Sequence, residues 1–319
     1  MEEIQDIQQQ PQETQQKEEQ SVQKQTIKMI KRKLQLKALI YQINPNYKQI
    51  KQNIQKVESA LMKYNKNDKI DIFMLPEMAL TGYTFKDRDD IRDYCEESGK
   101  GKQFTFFSKI ATKLGCYVFA GFPEIEIVNG QENFYNSAYL IDRDGKLIIT
   151  YRKKHLFETD KTWAQEGSEF GAVYLKTREG KQFKAGLGIC MDINPYEFQD
   201  SSKFEFSDFC KEQDVDVVLF LSAWNDHEPD NLDDSSIDGS LNYWLWRMRT
   251  MQNKKQELNY HKSWAFICCD RTGVEDKLDN KEKTHYLGCS CVIKVNPTQL
   301  VYCLDKKNEG VLVADISLE

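Results

Sequence analysis

The residues of this sequence best suited to chemistry are a cysteine, a lysine and a glutamate, each standing where an apolar run stops. Cys190 ends FKAGLGIC and is followed at once by MDINP, so a buried strand gives way to a turn at the sulfur. Strand ends of this kind are where α/β enzymes display nucleophiles. Glu77 ends IDIFMLPE, and Lys153 follows a strand in YRKKHLF. Singly, each has an ordinary reading: a small buried thiol, a solvated strand-terminal acid, a surface cation in a basic run. Together they supply what amide hydrolysis requires, namely a sulfur nucleophile, a carboxyl group that exchanges protons, and a fixed cation for charge developing on oxygen.

The elements that must position them alternate along the chain. LQLKALIYQINP reads as a strand closed by Asn44 and Pro45, and Ile50, Ile54, Val57, Leu61 and Tyr64 form a helical stripe. IDIFMLPE is a buried strand, and a helix around Phe104, Phe107, Ile110 and Leu114 stops at Gly115 before CYVFAGF. Two strand runs flank Asp142–Gly145 as a hairpin. FKAGLGIC, a helix near 201–213, the strand DVVLFLSAW, a long helix over 240–258, SWAFICCD and YLGCSCVIKV follow. The order predicts an α/β domain with some antiparallel strands and no internal repeat.

Composition limits the alternatives. The chain has 319 residues, 40% hydrophobic and 12% aromatic, enough for one sizeable core. Residues 1–26 hold ten glutamines and few large apolar side chains, so burial cannot offset their ordering entropy. Residues 1–33 are read as a disordered tail with the basic lead-in IKMIKRK, and 34–319 as the folded domain. No apolar stretch of about 18 residues offers a membrane span, and no secretory or transit segment is recognisable. The net charge of −6, with both signs interspersed, gives no support to nucleic-acid binding. Nine cysteines scattered without framework spacing favour a reducing compartment, the cytoplasm or the nucleus. Cys268, Cys269, Cys289 and Cys291 lie in strand runs that point them to different faces, without a CxxC knuckle, so no metal site is expected.

LPEMALTGY around Glu77, YRKKHLF around Lys153 and GICMDINPYEF around Cys190 resemble, in order and spacing, the glutamate, lysine and cysteine signatures of the nitrilase (carbon–nitrogen hydrolase) superfamily. LFLSAW, RTGVED and YLGCSCVIKVNP are similar to its later segments, so the resemblance covers nearly everything from residue 34 onward. It implies a four-layer αββα sandwich, amide hydrolysis through a cysteine thioester and no cofactor. LPEMALTGYTF and GICMDINPYEF look most like the branch that converts N-terminal Asn and Gln of proteins to Asp and Glu, which implies a place in an N-degron pathway. Relatives commonly pair through helical faces, leaving a homodimer open. Many also carry a second acid that supports the lysine; Glu158, Asp160, Glu166 and Glu169 are the candidates here, and sequence does not choose among them.

The residue types then give a mechanism. Cys190, its pKa lowered by a nearby lysine ammonium, attacks the carboxamide carbon as thiolate. Lys153 and the backbone N–H of Met191 take the oxyanion charge, while Glu77 relays protons to the departing nitrogen and later activates water. A free N-terminal ammonium needs a carboxylate or several carbonyls, and Asp192 or an acid of the loop NDHEPDNLDDSSIDGS, such as Asp226 or Glu228, is expected to provide it. Three other readings compete. One is an ω-amidase acting on small carboxamides. Another is an α/β-hydrolase elbow with His227, His261 or His285 as base, weakened because Asp192 replaces the final glycine of that motif. The third is an inactive assembly module of the same fold. His155 is expected to be structural, and the aromatic helix YWLWRMR to serve core and subunit packing.

Overall fold

The computed structural model describes residues 33–230, 234–253, 262–276 and 282–319; the Gln-rich segment and His261 lie outside them. Strands β1 (Leu34–Gln42), β2 (Ile72–Leu75), β3 (Tyr117–Val128), β4 (Gln131–Ile141) and β5 (Leu147–Arg152) belong to a first sheet. Strands β6 (Gly171–Lys176), β7 (Gln182–Ile189), β8 (Val217–Ser222) and β9 (Trp264–Asp270) belong to a second. A two-stranded ribbon, β10 (Thr272–Asp276) and β11 (Lys283–Leu287), precedes β12 (Cys291–Val295), β13 (Gln299–Cys303) and β14 (Gly310–Leu318). The sheet orders are β14-β1-β2-β3-β4-β5 and β13-β12-β9-β8-β7-β6.

Strand alternation explains why these runs are apolar throughout. In β1, Leu36, Ala38 and Ile40 face the second sheet, while Leu39 and Tyr41 face helices α1 (Ile50–Ala60) and α2 (Lys102–Leu114). In β8, Val217, Leu219 and Leu221 meet the first sheet, while Val218 and Phe220 pack under α3 (Glu205–Glu212) and α4 (Asp234–Arg247). Both faces of both sheets are covered, which removes any polar face from the central strands. The result is the four-layer αββα sandwich that the resemblance implies. Among the described residues no helix is long and apolar enough to cross a membrane.

Parallel pairing sets the strand ends that matter. β1–β2–β3 run parallel, as do β7–β8–β9, so Glu77, Cys190, Ala223 and Asp270 all fall at or just beyond carboxyl ends of parallel strands. Ligands of open α/β sheets gather at such ends.

Three expectations are corrected. The acidic stretch after β8 is not all loop, because α4 begins at Asp234 and carries Asp238, Gly239 and Ser240; acids at a helix N-terminus complement its dipole. The helix expected over 240–258 ends as α4 at Arg247, with a further turn at Thr250–Asn253; residues 254–258 are outside the described ones. YLGCSCVIKV, read as one run, is split between β11 and β12 by Gly288 and Cys289, both left-handed (φ 68° and 54°). That turn lets the run leave the ribbon and join β9.

Candidate active site

Glu77 lies two residues beyond β2 and is fully buried. Its approach to β3 depends on Gly121, where a Cβ would come within 2.7 Å of the Glu77 Cα and the Met78 N. Glu77 Oε1 accepts hydrogen bonds from Lys153 Nζ (2.7 Å) and Asn136 Nδ2 (2.7 Å), and Oε2 accepts from the Ala223 N–H (2.8 Å). Lys153 follows β5, its N–H donating to Asn136 O at 2.8 Å, and it too is fully buried. Its ammonium also donates to Asp160 Oδ2 at 2.6 Å, and Asn136 Nδ2 bridges to Asp160 Oδ1 at 2.9 Å. Of the four acids left open by sequence, Asp160 is the one that reaches the lysine; Glu158, Glu166 and Glu169 are exposed.

Cys190 terminates β7 and opens a short 3₁₀ turn, Cys190–Ile193. Its φ of 45° places a side-chain-bearing residue in the left-handed region, a strained position of the kind functional sites hold. Met191 follows on the same turn. Cys190 and Met191 line a cavity of about 490 Å³ with Phe157, Ala223, Trp224 and Tyr243. Its polar lining comes from Asn194, Asn225, His227 and Ser240.

The electrostatics correct one expectation. Burial pushes the Cys190 thiol well above the ordinary range, the Glu77 carboxylate adds to this, and Lys153 pulls the other way without prevailing. The resting sulfur is therefore a thiol and not a standing thiolate. Burial also raises Glu77, with Lys153 opposing. For Lys153, burial disfavours the charge, but Asp160 and Glu77 outweigh it and hold the ammonium above its usual range. A buried cation paired with two carboxylates and acting electrostatically on the thiol can pass a proton and stabilise an oxyanion without leaving a charge unpaired.

The residues expected to meet a substrate ammonium are not brought to the cavity. Asp192 is fully buried, and its carboxylate is taken up by Tyr151 Oη (2.7 Å) and the N–H groups of Ile189 (2.8 Å), Lys154 (2.9 Å) and His155 (2.9 Å). It fastens the end of β7 to the end of β5. Asp226 Oδ2 pairs with Lys306 Nζ at 2.8 Å, and Asp226 Oδ1 accepts from the Glu228 N–H at 3.0 Å. Glu228 is exposed; neither acid lines the cavity. His155 is buried, with Nδ1 at 3.0 Å from Asn194 O and its ring against Phe170 and Tyr196. His227 lines the cavity, yet the charges acting on the Cys190 sulfur are those of Glu77 and Lys153.

Sequence reasoning missed Asn136 and Tyr243. Asn136 was signalled by a polar residue inside the apolar run FYNSAYLI, where burial demands partners. Tyr243 lies in the aromatic helix read as core; Trp244 does pack against Phe220 and Phe266, while Tyr243 turns to the cavity and donates to Asn194 Oδ1.

Comparison with known proteins agrees with this geometry. The model of the carbon–nitrogen hydrolase family matches residues 37–198. The protein N-terminal amidase of Schizosaccharomyces pombe is 29% identical over 264 residues, 77% of this chain and 87% of that protein. The enzyme of that name from Saccharomyces cerevisiae is 34% identical over 171 residues, 49% of this chain and 37% of its own length. A solved N-terminal amidase with an Asn-Glu-Ala peptide superposes with a TM-score of 0.73 at 22% identity, covering 89% of this chain and 98% of that one. From the family match over half its length and the sandwich that presents these groups, the chain belongs to the carbon–nitrogen hydrolase family and is a hydrolase of carbon–nitrogen bonds.

Proposed function

We propose that the protein deamidates N-terminal Asn and Gln of proteins or peptides through a Cys190 thioester, with Glu77 as proton relay and Lys153 as oxyanion cation. As Sγ bonds to the carboxamide carbon, its proton passes to Glu77. Charge on the former carbonyl oxygen falls to the remaining Lys153 N–H and the Met191 N–H. Glu77 then protonates the nitrogen, the C–N bond breaks, and ammonia leaves a thioester. Water attacks this thioester, its proton going to Glu77 and then to sulfur, and the new carboxylic acid departs. Asp160 and Asn136 hold the lysine and glutamate in register.

The observation that carries the substrate assignment is the cavity lining. It contains no lysine or arginine among the described residues, so it offers no fixed cation to the free carboxylate of a small dicarboxylic monoamide. Side-chain oxygens of Asn194, Asn225 and Ser240 are acceptors of the sort to which an ammonium donates. The names of both yeast relatives, and the Asn and Gln peptides held by the structurally similar amidases, support the same reading. Such an enzyme turns a neutral terminal amide into an acid, the change an N-degron pathway would use. In a panel of amides, peptides with free N-terminal Asn or Gln release ammonia, whereas N-acetylated peptides, internal Asn or Gln, and small monoamides do so poorly. Equal rates on free and acetylated peptides would remove amine recognition. Preference for small monoamides would move the assignment to an ω-amidase.

The same roles fix a pH profile. Burial raises Glu77, so its ionised form is lost at a higher pH than that of an exposed glutamate. In kcat/KM the acid limb accordingly has its midpoint above the ordinary 4.5, and no limb occurs at the ordinary thiol value of 9.0, because Cys190 lies well above it. A rise in rate with midpoint near 9 would instead mean that a pre-formed thiolate does the work.

A further inference from the structure

Tyr83 is fully enclosed, and its hydroxyl has no hydrogen-bond partner among the described residues. A buried hydroxyl without a partner destabilises a fold, and one held in a well-packed interior calls for an explanation. Other interior groups share the condition, Trp264 Nε1 among them. Tyr83 differs in where it is and in how firmly it is held there. The Lys153 ammonium lies 5.8 Å from its ring centroid. The carboxylates of Asp160 and Glu77 act on its hydroxyl, and Glu77 with Lys153 acts on the reacting sulfur, so the phenol and the sulfur share one charged centre.

Its placement is built from the backbone upward. Tyr83 ends the segment that begins at Glu77, and Gly82 before it has φ 83°, where a Cβ would meet Tyr47 at 2.7 Å and Glu275 Oε1 at 2.9 Å. Beyond that turn, the Tyr83 N–H donates to Glu275 Oε2 at 3.0 Å, and the ring meets Tyr286 edge-on at 6.3 Å between centroids. Glu275 is in turn held by the buried guanidinium of Arg271. The ring is thus fixed from the ribbon side, and its hydroxyl is the part left without a partner.

Two donors of the site are then uncommitted. Lys153 spends two of its three N–H groups on Glu77 and Asp160, and the Tyr83 O–H has none of its own. We infer that the Tyr83 hydroxyl donates a hydrogen bond to the carboxamide oxygen of the substrate as the tetrahedral intermediate forms on Cys190, sharing the oxyanion with Lys153. This rests on the triad reading given above. Burial, then the negative charge of Asp160 and Glu77, hold the phenol well above its usual range, so it stays a donor throughout turnover.

Tyr83→Phe removes the oxygen and keeps the ring. With a free N-terminal Asn peptide, kcat falls by about 10²-fold, the scale of one lost oxyanion donor, while KM changes little. The melting temperature stays level or rises, because an unpaired polar atom has left the interior. A merely structural tyrosine would give the stability effect without the kinetic one, so kcat within twofold of wild type overturns the inference. A fall in kcat accompanied by a lower melting temperature overturns it too, by assigning the loss to packing. Wild-type protein and Cys190→Ala run in the same assay separate this from the underlying reading: a wild type inert on every amide sinks both, whereas an active wild type beside an equally active Tyr83→Phe sinks only the role of Tyr83.

Discussion

Cys190→Ala lowers ammonia release from free N-terminal Asn or Gln peptides by about 10⁴–10⁶-fold, equivalent to about 5–8 kcal/mol in barrier, and leaves the fold in place. The kinetic half follows from the removal of the atom that forms the thioester; the remaining oxyanion donors cannot replace a covalent path. The structural half follows from the backbone. At φ 45° the cost of the left-handed position arises from the Cβ, which alanine retains, so no new strain is introduced. Loss of one small buried sulfur costs about 1 kcal/mol. Quenching wild-type enzyme during turnover and weighing it gives a species heavier by the substrate less ammonia; the variant gives none. Substantial turnover by the variant, or a wild-type adduct at another cysteine, would rule out Cys190 as nucleophile.

Lys153→Met abolishes turnover and also destabilises the protein, by about 3–5 kcal/mol, because it leaves buried carboxylates without their cation. Glu77 and Asp160 each accept from the ammonium, at 2.7 and 2.6 Å, and Asn136 Nδ2 alone would then bridge them. The pH dependence gives the sign. A carboxyl pair stripped of its cation binds protons more tightly folded than unfolded, so the variant loses stability as pH rises and recovers part of it as pH falls. Adding Asp160→Asn removes one of the two charges and restores stability without restoring activity. Denaturant titration of the single and double variants at pH 5 and 7 checks this. A single variant as stable as wild type at pH 7 would mean that the ammonium does not hold the pair.

How much of this was legible in the sequence depended on whether a neighbour along the chain or a neighbour in space decided the matter. Glu77, Lys153 and Cys190 were legible because an apolar run followed by a polar break marks a strand end, and parallel strand ends share a rim. Asp160 was not, since four acids within twelve residues have the same local character and only the turn at Glu158–Lys161 aims one of them at the lysine. Asp226 looked like a spare carboxylate because Lys306, its partner, comes from the far end of the chain. Asp192 looked available because the four donors that occupy it come partly from the β5 side of the molecule. The state of the thiol was misjudged for a related reason: the pattern of residues reveals a nearby cation but not the depth of burial that overrides it.

The hydrogen bond from the Ala223 amide to Glu77 Oε2 crosses from the second sheet to the first. Oε1 already faces two donors, so in the proposed relay Oε2 is the oxygen left to take the proton from sulfur, and a proton there weakens its bond from that amide. Proton uptake by the relay and the clasp between the sheets are thus linked functions, and linkage is reciprocal: whatever protonation subtracts from the clasp, the clasp subtracts from the basicity of Glu77. Under the proposed relay each turnover loosens and re-fastens one stitch of the tertiary structure, and the proton affinity of Glu77 is set in part by how tightly two halves of the molecule hold together.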